Sequence, residues 1–223
     1  MRKFLSILFI TVGIVLISLP FLSNKYLEYK IKANQDILED ISAEELKKNE
    51  SIEAEYDYSL IDDIDPSLLF SEMEKNYGES MIGQIVIADL GINLPIMKGT
   101  TNSNLLAGAT TMRPDQKMGQ GNYPLAGHYA RNKSVLFASL LDIEKDTIVK
   151  ITNKETIYEY KIYDVIIVPD TSIHLIEDKL AEDRGRPVIS LMTCYYTSKN
   201  GKRFFALGEL VDEYDYAPEK LIE

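Results

Sequence analysis

Residues 4 to 22, FLSILFITVGIVLISLPFL, hold no charged side chain, whereas the rest of the chain alternates polar and apolar positions over much shorter distances. As a helix this run spans about 28 Å at roughly 1.5 Å per residue, enough to cross a bilayer core. Arg2, Lys3 and the terminal amine precede it, which favours an N-inside orientation with the remainder outside. Lys25, Lys30 and Lys32 follow closely, so the charge asymmetry is modest. Pro20, Phe21 and Leu22 form no small-x-small cleavage pattern, so the reading is an uncleaved anchor over residues 1–23 and not a signal peptide. No later stretch is long and apolar enough to span.

From residue 24 to 65 the chain is polar and acidic, with Leu27, Ile31, Leu38 and Ile41 near helical spacing and a capping box at Ser42 and Glu45. The segment reads as a stalk, either a partly helical solvated linker or a piece that covers the following domain. Pro66 closes it. Residues 66–223 then read as one domain, and from Ile82 onward the pattern shifts to short runs rich in Ile, Val and Tyr: IGQIVIADL, INLPIM, NYPLAGH, TIVKIT, TIYEYKIYDVIIV, RPVISLMTC and RFFALGELV. This predicts a mainly β domain. Short helical pieces fit at Asn102 to Ala107, Lys133 to Leu140 and Ile173 to Leu180, each too short to build a helical layer. A closed barrel would remove free sheet edges, but strand spacing alone does not separate a barrel from a sandwich.

The formal charge of -11 argues against a nucleic-acid partner, because no basic patch interrupts it. A single cysteine, Cys194, excludes an internal disulfide and leaves an inert buried thiol or a reactive one. If VISLMTC and RFFALGELV are antiparallel neighbours joined through an Asn200-Gly201 turn, Cys194 ends one strand and Arg203 begins the next. A guanidinium there would favour the nucleophilic thiolate and could hold a carbonyl or a developing oxyanion. Taken alone, the pair equally fits an inert thiol beside an arginine in a surface ion pair. A thiol nucleophile also needs a proton carrier. Of the two histidines, His128 ends a strand-like run, whereas His174 lies in a long polar connection.

Taken in order, LAGHYARN, SLMTC and KRFF resemble the sortases, cysteine transpeptidases of Gram-positive surfaces, with the likeness running from about Ile82 to Val211. The family's histidine, cysteine and arginine fall on His128, Cys194 and Arg203. Its Thr-Leu-x-Thr-Cys segment falls on Ser190 to Cys194, with serine replacing the first threonine. The resemblance implies a closed eight-stranded sortase barrel that cleaves a Leu-Pro-x-Thr-Gly sorting signal of secreted proteins. Cys194 would attack the Thr carbonyl, His128 would act as general acid and base, and Arg203, with Thr193, would stabilise the oxyanion. The acceptor would be an amine of lipid II or of the peptidoglycan cross-bridge. Position by position, Ala126, Val168, Pro169 and Met192 would line the Leu-Pro pocket.

The N-terminal anchor without a C-terminal span resembles class A, the housekeeping type, and places the enzyme at the cell membrane. Class C members carry an Asp-Pro-aromatic lid, of which DIDPSLLF offers a partial match in Asp65-Pro66, Ser67 and Phe70. Some class A members bind calcium before the histidine strand. Here that loop offers Asp115 and no carboxylate cluster, so neither calcium nor another cofactor is expected. Two other readings stay open: a secreted cysteine peptidase or thiol hydrolase, and a tethered β-barrel binding module without catalysis.

Overall fold

The computed structural model describes residues 2–64 and 77–222. Asp65, Pro66, Ser67 and Phe70, the partial lid match, lie outside the described residues.

Helix α1 runs unbroken from Arg2 to Asp40, so the apolar run and the first part of the acidic segment are one rod. It is long and apolar enough to cross a membrane. Thr11 and Ser23 hydroxyls donate to the carbonyls of Ile7 and Leu19, one turn back, which satisfies them inside an apolar helix. Beyond residue 25 the rod is docked: Leu27, Ile31 and Leu38 are buried, Asn34 donates to Ala107 O and Gln35 to Asn93 O. Each buried aliphatic side chain contributes about 1.5–3 kcal/mol, enough for three to hold the helix against the domain. Helix α2, Ala43–Glu50, opens on the expected box: Ser42 Oγ accepts from Glu45 N–H, and Ser42 N–H donates back to the Glu45 carboxylate.

The domain is a closed barrel of eight strands: β1 Met81–Ile87, β2 Ile92–Met97, β3 Ala109–Thr111, β4 Asn122–Ala126, β5 Ile148–Thr152, β6 Thr156–Pro169, β7 Val188–Cys194 and β8 Lys202–Asp215. Around the wall the order is β1-β2-β3-β4-β7-β8-β6-β5, closed by β5 against β1. The β2–β3 and β4–β7 pairs are parallel, the others antiparallel. Alternating residues such as Ile85, Leu125, Ile151, Tyr160, Ile189, Leu191 and Phe204 fill the interior. The opposite faces of β4, β7 and β8 supply Ala126, Met192, Cys194, Phe205 and Leu207 to a second apolar cluster outside the wall.

Of the expected helical pieces, Asn102–Ala107 forms α3, begun by the Thr101 side chain accepting from Asn104 N–H. Residues 133–140 do not. Asn132 Oδ1 accepts from Ser134 N–H, and Leu136 takes a left-handed φ of 49°, which delays regular structure to a 3-10 turn at Ala138–Asp142. Likewise 173–180 splits into a 3-10 turn, Ile173–Ile176, and α4, Lys179–Arg184. Asp178 stands at the join with its carboxylate drawn to Arg113 and to Asn122 N–H instead of capping the helix.

Candidate active site

Cys194 is the last residue of β7 and Arg203 the second of β8, and the antiparallel register pairs them directly. The connection closes at Gly201, whose φ of 64° suits a glycine, with Asn200 Oδ1 accepting from Lys202 N–H. Strand β4 lies parallel to β7 with Ala126 opposite Met192, and Gly127 N–H continues the ladder to Met192 O at 3.0 Å. The same register, carried two residues on, sets His128 beside Cys194. Gly127 is needed here because a Cβ would sit 2.6 Å from the Phe137 ring, which folds back so that Phe137 N–H donates to His128 O.

The three side chains meet on a stretch of backbone from well before the barrel. After α2 the chain crosses the outer face of the wall: Asp57 N–H donates to Thr100 O, Tyr58–Leu60 form a 3-10 turn, and the Tyr58 hydroxyl donates to Met112 O. This strap then passes through the site. Arg203 Nη2 donates to Ile61 O at 3.0 Å, Cys194 Sγ lies 3.5 Å from the same oxygen, and His128 Nδ1 lies 2.8 Å from Asp62 O. Beyond it, the Asp63 carboxylate accepts from the Thr197 hydroxyl at 2.7 Å and from Ser198 N–H at 3.0 Å. Ile61 and Cys194 are fully buried and His128 is 2 % exposed. A carbonyl oxygen only accepts, so His128 Nδ1 carries the proton and, in the neutral ring, Nε2 is left as the acceptor.

Burial pushes the Cys194 thiol up to about 11 against the pull of Arg203, with the charges of Asp63 and Asp62 adding to the rise. Burial likewise takes His128 down to about 4, although the Asp62 carbonyl and the Asp62 and Asp63 charges pull it back. Under the strap the pair is therefore thiol and neutral imidazole at pH 7. A consequence for stability follows from the sign. The unfolded chain takes up a proton at His128 below about pH 6.5, and the folded chain refuses it until about pH 4. Stability thus falls as pH drops through that window, by at most about 3 kcal/mol from this group. Urea unfolding in detergent at about pH 7 and about pH 4.5 should show a smaller acid loss for His128→Asn than for the parent; equal losses would contradict this account.

The remaining expected residues divide. Ala126 and Met192 are buried in the cluster that holds Cys194, and Val168 packs against it. Pro169 ends β6 opposite Lys202 and is exposed. Thr193 alternates to the other face of β7 from Cys194; its hydroxyl is buried, without a hydrogen-bond partner among the described residues. It is not one of the groups that meet at the strap. Met112, Ile173, Ile176 and Phe205 complete a narrow cleft of about 40 Å³ beside Tyr58, Met192 and Arg203. They come from three separate parts of the chain, the residue just after β3, the 3-10 turn Ile173–Ile176 and β8, and no sequence spacing marks them. Ser190 anchors the roof of this cleft by donating to Leu175 O, with Asn122 Oδ1 also 3.0 Å from its hydroxyl. His174 is exposed, apart from the site. A cavity of about 480 Å³ near Lys98 and Arg113 touches none of the three. Asp115 lies on it, paired to Arg113, and among the described residues no three His, Cys, Asp or Glu side chains cluster in a way that could hold a metal.

The family model described as the Sortase domain matches residues 85–211. The chain is 33% identical over 210 residues to Sortase A of Listeria monocytogenes, covering 94% of this chain and 91% of that one. It is 34% identical over 209 residues to Sortase A of Bacillus anthracis, covering 92% of each. The crystal structure of Listeria monocytogenes sortase A superposes with a TM-score of 0.59 at 36% identity, over 64% of this chain and 97% of that one. Sortase C-3 of Streptococcus pneumoniae gives 0.60 at 19% identity, over 86% and 95%, a likeness of fold.

Proposed function

The chain belongs to the sortase family of cysteine transpeptidases, and from that premise we propose that it cuts a Leu-Pro-x-Thr-Gly signal between Thr and Gly and transfers the upstream protein to an amine of the cell-wall precursor. One observation carries the reading. A peptide backbone already lies in the site, with one carbonyl between Cys194 and Arg203 and the next at His128. The approach to that carbonyl, from Tyr58 past Met192 and Phe205, is the apolar cleft. A substrate lying in the same direction would put Leu and Pro in the cleft, the Thr carbonyl beside Cys194, and Gly toward His128.

With the strap displaced by substrate, the Cys194 thiol passes its proton to His128 Nε2, the resulting thiolate attacks the Thr carbonyl carbon, and the electron pair moves to oxygen, where Arg203 donates to it. Collapse of this adduct breaks the C–N bond, and His128 passes a proton to the departing Gly nitrogen, leaving a thioester on Cys194. An incoming amine retraces the path, losing its proton to His128 and releasing the thiolate. Met192 lines the Leu-Pro cleft directly, Ala126 and Val168 back it from the cluster that holds Cys194, and Pro169 stands at its edge before Asp170. Thr193, whose side chain lies on the opposite face of β7, contributes only through the main chain next to Cys194. No metal has a part in this scheme. The working form is a class A enzyme held in the cell membrane by residues 1–23, N-terminus inside, with 24–65 joining it to the catalytic domain 66–223.

The test is mass spectrometry of the full chain in detergent with a Leu-Pro-x-Thr-Gly peptide, with and without oligoglycine. Expected are a Thr-terminated adduct on Cys194, cleavage between Thr and Gly, and product joined to the amine. Hydrolysis indifferent to every amine would favour a thiol hydrolase, and a peptide left intact by both this chain and the strap-loosened Tyr58→Phe, Ile61→Gly, Asp63→Ala chain would leave only a binding module.

A further inference from the structure

Because α1 is continuous, its buried half fixes which part of the barrel stands nearest the membrane. Glu28 lies six residues past Leu22, the end of the uncharged run, or about 9 Å along the axis. There Asn132 Nδ2 donates to Glu28 Oε1 at 2.5 Å, and Leu27 enters the core cluster that holds Val135 and Leu136. Contacts to the rest of the barrel come later along the rod: Ala107 and Asn93 at residues 34 and 35, then Met81 and Met97 around Leu38. Lys154 meets the carbonyls of Glu39 and Ile41, at the far end. The membrane-proximal part is therefore the loop after β4, residues 129–136, which follows directly on His128.

The surface this loop shares with the end of β7 has an unusual make-up for a chain of net charge -11. The Tyr129 ring meets Tyr196 edge-on at 5.9 Å, and Tyr196 meets Tyr195 at 4.7 Å. Tyr195 follows Cys194 directly, and Tyr129 packs against the cluster that holds Cys194. Tyr196 is 59 % exposed. Lys133 stands beside both Tyr129 and Tyr196, and Arg131 is exposed on the same loop. Lys25 is on α1 just below. Of the carboxylates on this side, Asp142 pairs with Lys133, Glu28 pairs with Lys25 and accepts from Asn132, Asp63 accepts from Thr197 and Ser198, and Asp62 accepts from Asp63 N–H on the strap. Tyrosine mixed with lysine and arginine is the composition suited to a bilayer's headgroup layer, the cations favouring anionic lipids.

We infer that Tyr129, Tyr195, Tyr196, Arg131 and Lys133 rest on the anionic headgroups of the bilayer that α1 crosses, so that the mouth of the catalytic site opens at the membrane surface. This rests on reading α1 as an anchor. It deepens the proposed function: a site so placed meets substrates that are themselves tethered by lipid or by an apolar tail, and meets soluble peptides less readily.

The chain has no tryptophan, so single introduced ones report position. Full chains carrying Tyr196→Trp, or Tyr216→Trp beside Glu155 at the far end, are reconstituted into vesicles of phosphatidylcholine with or without equal phosphatidylglycerol. Both contain a lipid nitroxide-labelled at the headgroup. Expected is several-fold stronger quenching at Tyr196→Trp than at Tyr216→Trp, strengthened by phosphatidylglycerol and weakened there by adding Arg131→Gln and Lys133→Gln, with flotation and far-UV spectra unchanged. Equal quenching at both sites, no quenching in chains that float, or indifference to phosphatidylglycerol and to the two glutamines would overturn the inference. Chains that fail to float with the vesicles would overturn the anchor reading and the inference with it, whereas floating, unquenched chains would overturn the inference alone.

Discussion

Loosening the strap makes Cys194 react with iodoacetamide about 100-fold faster at pH 7. The variant is the triple Tyr58→Phe, Ile61→Gly, Asp63→Ala, which removes the hydroxyl held by Met112 O, the side chain buried against Cys194, and the carboxylate held by Thr197 and Ser198. None of these residues belongs to the barrel. The thiol stands near 11 because it is buried and faces Asp62 and Asp63, and only Arg203 opposes these effects. Opening the strap admits water, removes or withdraws both acidic charges and frees Arg203 from Ile61 O. A thiol returned to its ordinary range carries about two powers of ten more thiolate at neutral pH, and thiolate is the species alkylated. The rate should be followed by intact mass, since Cys194 is the one cysteine in the chain. An unchanged rate would mean that the strap already leaves the site freely in solution.

Much of the barrel could be read from the chain because its strands obey simple rules. TIYEYKIYDVIIV and RFFALGELV are rich in β-branched and aromatic residues and are bounded by turns, and they became β6 and β8. Strand β3 was invisible: three residues, ATT, carry no period, and only pairing to β2 and β4 makes them a strand. The pairing of Cys194 with Arg203 followed from the Asn200-Gly201 turn, and closing His128 onto them needed the parallel β4–β7 register, which no local signal encodes. The strap was hidden for a further reason. Its contacts are main-chain carbonyls of Ile61 and Asp62, and a backbone carbonyl has no signature in an amino-acid string. The same holds for the docked half of α1. Leu27, Ile31 and Leu38 are spaced like a helical face, but the spacing does not say what that face meets.

Arg203→Ala lowers kcat/KM for peptide transfer by roughly 10²–10³, the usual cost of one oxyanion donor, while Cys194→Ala leaves no thioester and no measurable transfer. The two roles assigned to Arg203, favouring the thiolate and holding the oxyanion, separate by measurement. Thiol ionisation is read by alkylation in the absence of peptide, oxyanion stabilisation only by turnover. If Arg203 served ionisation alone, alkylation and transfer would fall by the same factor in Arg203→Ala. The geometry predicts otherwise, because its Nη2 already donates to the carbonyl that lies against Cys194 Sγ, where the reacting carbonyl of a substrate would lie. Transfer should therefore fall at least tenfold more than alkylation. Arg203→Lys should restore most of the alkylation, since an ammonium also favours a thiolate, yet recover transfer only in part, because a compact ammonium lacks the planar fork that reaches the oxygen from the strand opposite. Equal losses in both assays, or full recovery of transfer with lysine, would confine Arg203 to a charge beside the thiol.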